Sequence, residues 1–270
     1  ITETITLNGP GQELVTVDGQ QVSRIFDAAA PDVDVTILGM TLAGGQTTAD
    51  NLAGRGGAIR SQYAGTVLID QSTISGNSTM GDRADGGAIY AGGDVVVMNS
   101  TISGNSTNNL DSEGGAIAAE GSVSITDSTF SGNSTDGGGS DGGAVYAAGE
   151  LVVLGSLFSG NSTGTPTTSR GGAIFSDDDA TVAGSTFVGN STGGSNSDGG
   201  AIFGDLNTTL TIVDSTFSGN FTSRFGAQGG AVHTRGSLAV ENSTLSGNNS
   251  VSHGGAIAPE GTTEIATSTI

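Results

Sequence analysis

GGAVYAAGELVVLGSLFSGN, residues 142–161, decides the reading of the whole chain. Gly142-Gly-Ala-Val145 opens this stretch and Phe158-Ser-Gly-Asn161 closes it. Working outward, Gly-Gly-Ala-[Ile/Val] starts at residues 56, 86, 114, 142, 171, 199, 229 and 254, and a Ser-x-[Ile/Phe/Leu]-x-Gly-Asn block follows each of the first seven. Successive Gly-Gly pairs lie 30, 28, 28, 29, 28, 30 and 25 residues apart. Self-similarity at such a period marks a solenoid. It is too long for a hexapeptide coil and fits a three-strand turn of parallel β-helix. Function is therefore to be sought in columns of stacked residues.

The columns separate by alternation, as half-buried strands require. Ile69, Val97, Ile125, Val153, Val182, Ile212, Val240 and Ile265 form one inward column; two residues earlier run Val67, Val95, Val123, Leu151, Ala180, Leu210, Leu238 and Thr263. A third, Ile74, Ile102, Phe130, Phe158, Phe187, Phe217, Leu245 and Ile270, places four Phe on consecutive turns, where strands about 4.8 Å apart stack their rings. Ser72 and its equivalents to Ser268 precede that column without exception. Asn77, Asn105, Asn133, Asn161, Asn190, Asn220 and Asn248 follow it, and are expected to form an inward ladder of amides bonded along the axis. Residues 1–45 show weaker strand-like repeats and are read as degenerate first turns; residues 46–270 carry the regular ones. The expectation is an all-β, single-domain right-handed parallel β-helix spanning 1–270, of nine or ten turns.

The 48 Gly resemble a linker only until the register of the apolar residues is seen. Asp and Glu number 27 against 7 basic residues, all Arg, so a nucleic-acid backbone would be repelled. With no Cys, the fold must be held by stacking alone. No run of 18 apolar residues is present, and no transmembrane segment is expected. Ile1 and Ile270 both fall in strand-like sequence, which suggests a segment of something longer or copies stacked end to end.

The pairing of Gly142-Gly-Ala-Val145 with Phe158-Ser-Gly-Asn161, recurring over about residues 54–270, resembles the repeats of the polymorphic outer membrane protein family. It is also similar to the right-handed β-helix repeats of large bacterial and archaeal surface proteins. The resemblance implies a secreted or surface-displayed rod, often an adhesin or part of an envelope fibre.

Candidate sites follow from the columns. Asp85, Glu113 and Asp141 precede Gly-Gly on successive turns, then Arg170 and Asp198; such stacked carboxylates form either a solvated acidic edge or a Ca²⁺ site. Tyr90, Tyr146, Phe175, Phe203 and His233 share a column expected to face outward, where it would serve as a partner-binding strip or stiffen the rod by stacking. Ten Asn-x-[Ser/Thr] sequons occur, and seven of them are the ladder Asn; Asn99, Asn207 and Asn242 are the remaining acceptors if glycans are attached. The run Asp177-Asp178-Asp179 reads as a solvated turn, and Gly137-Gly-Gly-Ser-Asp-Gly142 as a chance match to nucleotide and hydrolase motifs. No catalytic triad is assigned.

Together these features point to a non-catalytic extracellular or cell-surface structural rod, adhesin-like or filament-forming. Its partners would be further copies, other surface proteins or glycans, met through strand faces, loops or rod ends, and no cofactor is expected beyond Ca²⁺ in the acidic column. Two alternatives stay open. One is a carbohydrate-active β-helix enzyme, a polysaccharide lyase or hydrolase, which a pocket with convergent carboxylates would favour. The other is a Ca²⁺-dependent extracellular matrix protein.

Overall fold

Each repeat closes one coil of a parallel β-solenoid, seen in a computed structural model that describes residues 1–164 and 167–270. Four strands, not the expected three, make up a turn: in one repeat these are Ile59–Ser61, Val67–Asp70, Thr73–Ser75 and Ser78–Thr79. The extra strand is the two-residue segment that follows each ladder Asn, Ser-Thr after all but Asn220 and Asn248. Too short to show alternation, it carries no period-2 signal in the sequence. Equivalent strands stack into four sheets of 9, 10, 9 and 8 strands, called here sheets 1 to 4 in that chain order. About nine turns of about 28 residues result, and ten strands at the usual spacing make a rod of about 43 Å. The degenerate first turns join in register: Ile5 pairs with Val35, Thr16 with Thr41 and Phe26 with Ile59.

All three apolar columns point into the coil. Phe130, Phe158, Phe187 and Phe217 are fully buried, their ring centroids 4.7–4.8 Å apart and their planes within 9° of parallel. On the last turn the columns lose their cover, and Ile265 and Ile270 are 45% and 52% exposed. The Gly-Gly pair is needed for two different reasons. Gly142 has φ +69°, and a Cβ there would meet the Val145 carbonyl oxygen at 2.3 Å; at Gly143 it would meet the Gly172 oxygen of the next turn at 2.1 Å.

Polar ladders run beside the apolar ones. The Asn133 Oδ1 accepts from the Asn105 main-chain N–H at 3.1 Å and from Asn105 Nδ2 at 3.0 Å, while its own Nδ2 donates to the Ile102 carbonyl at 3.0 Å and to Asn161 Oδ1 at 2.9 Å. Every bonding position of the amide is filled. The same geometry holds from Asn77 to Asn220, all fully buried, and Asn248 closes the row half-buried. Each Ser of the second block donates to a carbonyl two residues back and accepts an N–H from the preceding turn, as Ser128 does with Thr126 and Ser100. Two further rows escaped the sequence reading. Ser112, Ser140, Ser169 and Ser197 bond one to the next through main-chain N–H and Oγ. Thr79, Thr107, Thr135 and Thr192 donate across their own loops to the carbonyl of a buried residue. Where the coil leaves sheet 2, Gln71, Asn99, Asp127, Gly155, Gly184, Asp214, Asn242 and Thr267 all take φ between +47° and +57°, the left-handed bend that Gly, Asn and Asp adopt most readily.

Candidate functional site

Strands of sheet 1 turn their Ile or Val inward and the next residue outward, so period 2 builds the aromatic column on the outer side: Tyr90 pairs with Ala118, Ala118 with Tyr146, Phe175 with Phe203 and Phe203 with His233. Outward does not mean exposed, and the expected exposure of this strip is corrected here. Phe203 and His233 are at most 1% exposed, Tyr90 and Phe175 at most 4%, and only Tyr146 is part-exposed. The rings stack on one another at 5.2–5.3 Å from Tyr146 through His233. Long side chains then roof them: the Arg55 guanidinium lies 4.5 Å over Tyr90, and those of Arg170 and Arg235 lie 5.1 and 5.5 Å from the Phe203 centroid. The column is the floor of a roofed groove.

The acidic column is one wall of that groove. Asp85 Oδ1 accepts the Glu113 N–H at 3.0 Å, Glu113 Oε2 the Asp141 N–H at 2.5 Å, Asp141 Oδ1 the Arg170 N–H at 2.5 Å, and Asp198 Oδ1 the Gln228 N–H at 2.7 Å. Each carboxylate thus serves the main chain of the following turn, a third choice beside solvated edge and Ca²⁺ site. Burial pushes the Asp85 carboxyl up to about 6, against the Arg55 Nε ion pair 2.7 Å away. Burial likewise lifts Asp141 to about 7, and burial with the neighbouring Asp141 lifts Glu113 well above the usual range. Among the described residues no group of three or more Asp, Glu, His or Cys could hold a metal ion. Asp85, Glu113 and Asp141 are neighbours along the axis but do not make such a group.

A second wall, absent from the sequence reading, comes from residues two beyond the floor column: Glu120, Asp177, Asp205, Arg235 and Glu260. Period 2 alone would have placed them on the same side as the rings. Glu120 accepts from the Tyr90 hydroxyl at 3.1 Å and Asp177 from Tyr146 at 2.6 Å; Asp205 pairs with Arg235 at 2.9 Å. The run Asp177-Asp178-Asp179 is therefore more than a solvated turn, since Asp179 also accepts the Thr209 N–H at 2.7 Å. At the far end the buried His233 has both ring nitrogens without a hydrogen-bond partner, and the nearest carboxylate oxygen, on Glu260, is 3.5 Å away. Burial lowers its pKa, opposed by Asp198 and Glu260.

Ala118 interrupts the floor. Over it opens a cavity of about 150 Å³ lined by Arg55, Asp85, Glu113, Ala118, Ala119, Glu120 and Tyr146. Arg55 was missed as a site residue although it stands at the wall position, one repeat before Asp85. The sequon residues Asn99, Asn207 and Asn242 are all exposed, at φ +48°, +65° and +47°. Asn99 and Asn242 each donate Nδ2 to an Asp of the preceding turn, Asp70 and Asp214.

Among the described residues no helix is long and apolar enough to cross a membrane. No curated protein matches the chain, and no solved structure does. A family model does match, over residues 39–245, and that span covers the ladder from Asn77 to Asn220, the Ser column from Ser72 to Ser243 and the Phe stack. The chain belongs to the family described as the right-handed β-helix region.

Proposed function

We propose that the chain is a non-catalytic structural rod displayed outside the cell. The observation that carries this reading is the uninterrupted Asn ladder, six amide-to-amide bonds of 2.9–3.0 Å joining seven turns, with the Phe stack beside it. Groups that a soluble enzyme would aim at a substrate are here spent on the fold itself: buried Ser and Asn side chains and the wall carboxylates bond to neighbouring turns, and buried Thr hydroxyls bond across their own loops. The likeness of the repeats to those of polymorphic outer membrane proteins supports the surface location. An excess of Asp and Glu with no Lys suits a surface that stays soluble in salt. Contact with surface proteins, glycans or further copies would use loops, the open strand faces of sheets 2 and 3, or the rod ends, because the aromatic column is roofed.

Two measurements test the proposal together. Antibodies to the chain should label intact cells of the source organism under the electron microscope, and the purified chain should release no new ends from acidic or neutral polysaccharides. Interior labelling overturns the surface rod. Cleavage lost in Glu113→Gln would replace it with the enzyme alternative, for which the cavity over Ala118 gathers Glu113, whose pKa burial raises, with Asp85 and Glu120.

A further inference from the structure

The groove of sheet 1 repeats one arrangement along its length. A guanidinium of the chain's own lies over a floor ring and beside a wall carboxylate: Arg55 over Tyr90 with Asp85 at 2.7 Å, and Arg235 over Phe203 with Asp205 at 2.9 Å. Arg170 repeats it over Phe203, 3.8 Å from Asp141. The turn of Glu113 breaks the pattern twice. Its floor residue is Ala118, so one ring layer is missing between Tyr90 and Tyr146 in a stack whose rings otherwise follow at 5.2–5.3 Å. Among the described residues its wall carboxylate, Glu113, has no ion pair of its own, whereas Arg55, which also lines the slot, is already paired with Asp85 at 2.7 Å and with Glu120 at 3.6 Å. What remains is a slot of about 150 Å³ with the Tyr146 ring and the Arg55 side chain among its walls and Glu113 and Glu120 beside them. By register the slot stands where one ring layer is missing, and among the described residues Glu113 is without an ion-pair partner.

We propose that this slot binds a guanidinium group from outside the chain, stacked on Tyr146 and paired with Glu113. A planar cation satisfies both requirements at once, because it lies flat against a ring and offers forked N–H donors to carboxylates. A compact ammonium meets the charge but leaves the flat space unfilled. The source is either an arginine side chain of another protein or a small guanidino compound, and the chemistry is shared. This inference holds whether the chain is a rod or an enzyme.

Calorimetric titration of the intact chain at constant ionic strength tests it, with methylguanidinium as the small probe and N-acetyl-arginine methylamide as the side-chain probe. Saturable one-to-one binding of methylguanidinium is expected, with methylammonium weaker by about tenfold. Binding of both guanidinium probes would point to a protein side chain, and binding of methylguanidinium alone to a small compound; either outcome supports the slot. Ala118→Phe restores the missing ring and should abolish binding while keeping or raising the melting temperature. Glu113→Gln still offers an oxygen to the Asp141 N–H but removes the charge, so it should lose binding with the fold intact; it decides alone if Ala118→Phe fails to fold. Absence of saturable binding by the parent up to about 50 mM, a range in which even a weak specific site fills, would overturn the proposal. Unchanged binding by either folded variant would do the same.

Discussion

Replacing Asn133 by Ala removes a side chain whose four hydrogen bonds are all buried. The losses are unequal. Asn105 Nδ2 keeps the Ile74 carbonyl at 3.0 Å, and Asn161 Oδ1 keeps the main-chain N–H of residue 133 at 3.0 Å. The main-chain N–H of Asn105 keeps nothing. One fully orphaned buried donor costs about 1–3 kcal/mol, and the three weakened partners with the small void raise the expected loss to about 2–4 kcal/mol. Asn133→Asp sharpens the test. It retains the oxygen that Asn105 needs, yet at neutral pH it sets a second oxygen against the Ile102 carbonyl and Asn161 Oδ1, where the native amide donates. Its loss should exceed that of Ala and shrink in acid, where the protonated carboxyl recovers one donor. Denaturant unfolding followed by circular dichroism gives the magnitude, and hydrogen exchange at the Asn105 amide gives the local effect. An Ala variant within about 0.5 kcal/mol of the parent, the spread of ordinary surface changes, or an Asp variant no worse than Ala, would refute the ladder as a stabilising element.

His233→Phe should stabilise by about 1–2 kcal/mol, since it continues the stack on Phe203 and removes two buried nitrogens that have no partner; a lower melting temperature would show that His233 has a polar role. Stability should fall as pH rises from about 4 to 7. Asp85 and Asp141 hold their protons to about 6 and 7 when folded but release them near 4 when unfolded, so their contribution is full below pH 4 and lost above 7. For Asp85 alone this amounts to at most about 3 kcal/mol. His233 acts in the opposite sense, because its lowered pKa makes protonation below about 6.5 favour the unfolded chain; the pH slope should therefore steepen in His233→Phe. Melting curves between pH 4 and 8 measure both. Gly143→Ala should prevent normal folding, as its Cβ would lie 2.1 Å from the Gly172 oxygen, and an unchanged melting temperature would contradict that packing.

The coil and its inward columns could be read from residues 142–161 because a translationally repeated environment forces a repeated residue: Asn133 recurs wherever the same four partners recur, and Phe158 wherever a ring lies above and below. The burial of Phe203 could not be read in this way. Its cover comes from Arg170 and Arg235, in columns that mostly hold other residues on other turns, and a long side chain roofs its neighbours without leaving a periodic mark. The same holds for the cavity, which exists because one position, Ala118, departs from its column. The fourth strand was hidden by its length of two residues, and the row Ser112, Ser140, Ser169 and Ser197, two residues before Gly-Gly, by Gly54, Ala84 and Ala227 at the same place on other turns.

The amide-to-amide bonds of the Asn ladder all run one way. From Asn77 to Asn220 each Nδ2 donates to the Oδ1 of the turn nearer the carboxyl terminus, and the main-chain N–H of each Ser from Ser72 to Ser243 donates to the next Ser Oγ in the same sense. Rows of aligned dipoles add, as peptide dipoles do in a helix, and each bond polarises its neighbour. The cylinder is therefore electrically vectorial, with a head that differs from its tail. Two such cylinders lying side by side attract when their vectors oppose and repel when they agree, so any lateral array of this protein carries a bias toward alternating orientation that no surface residue needs to encode.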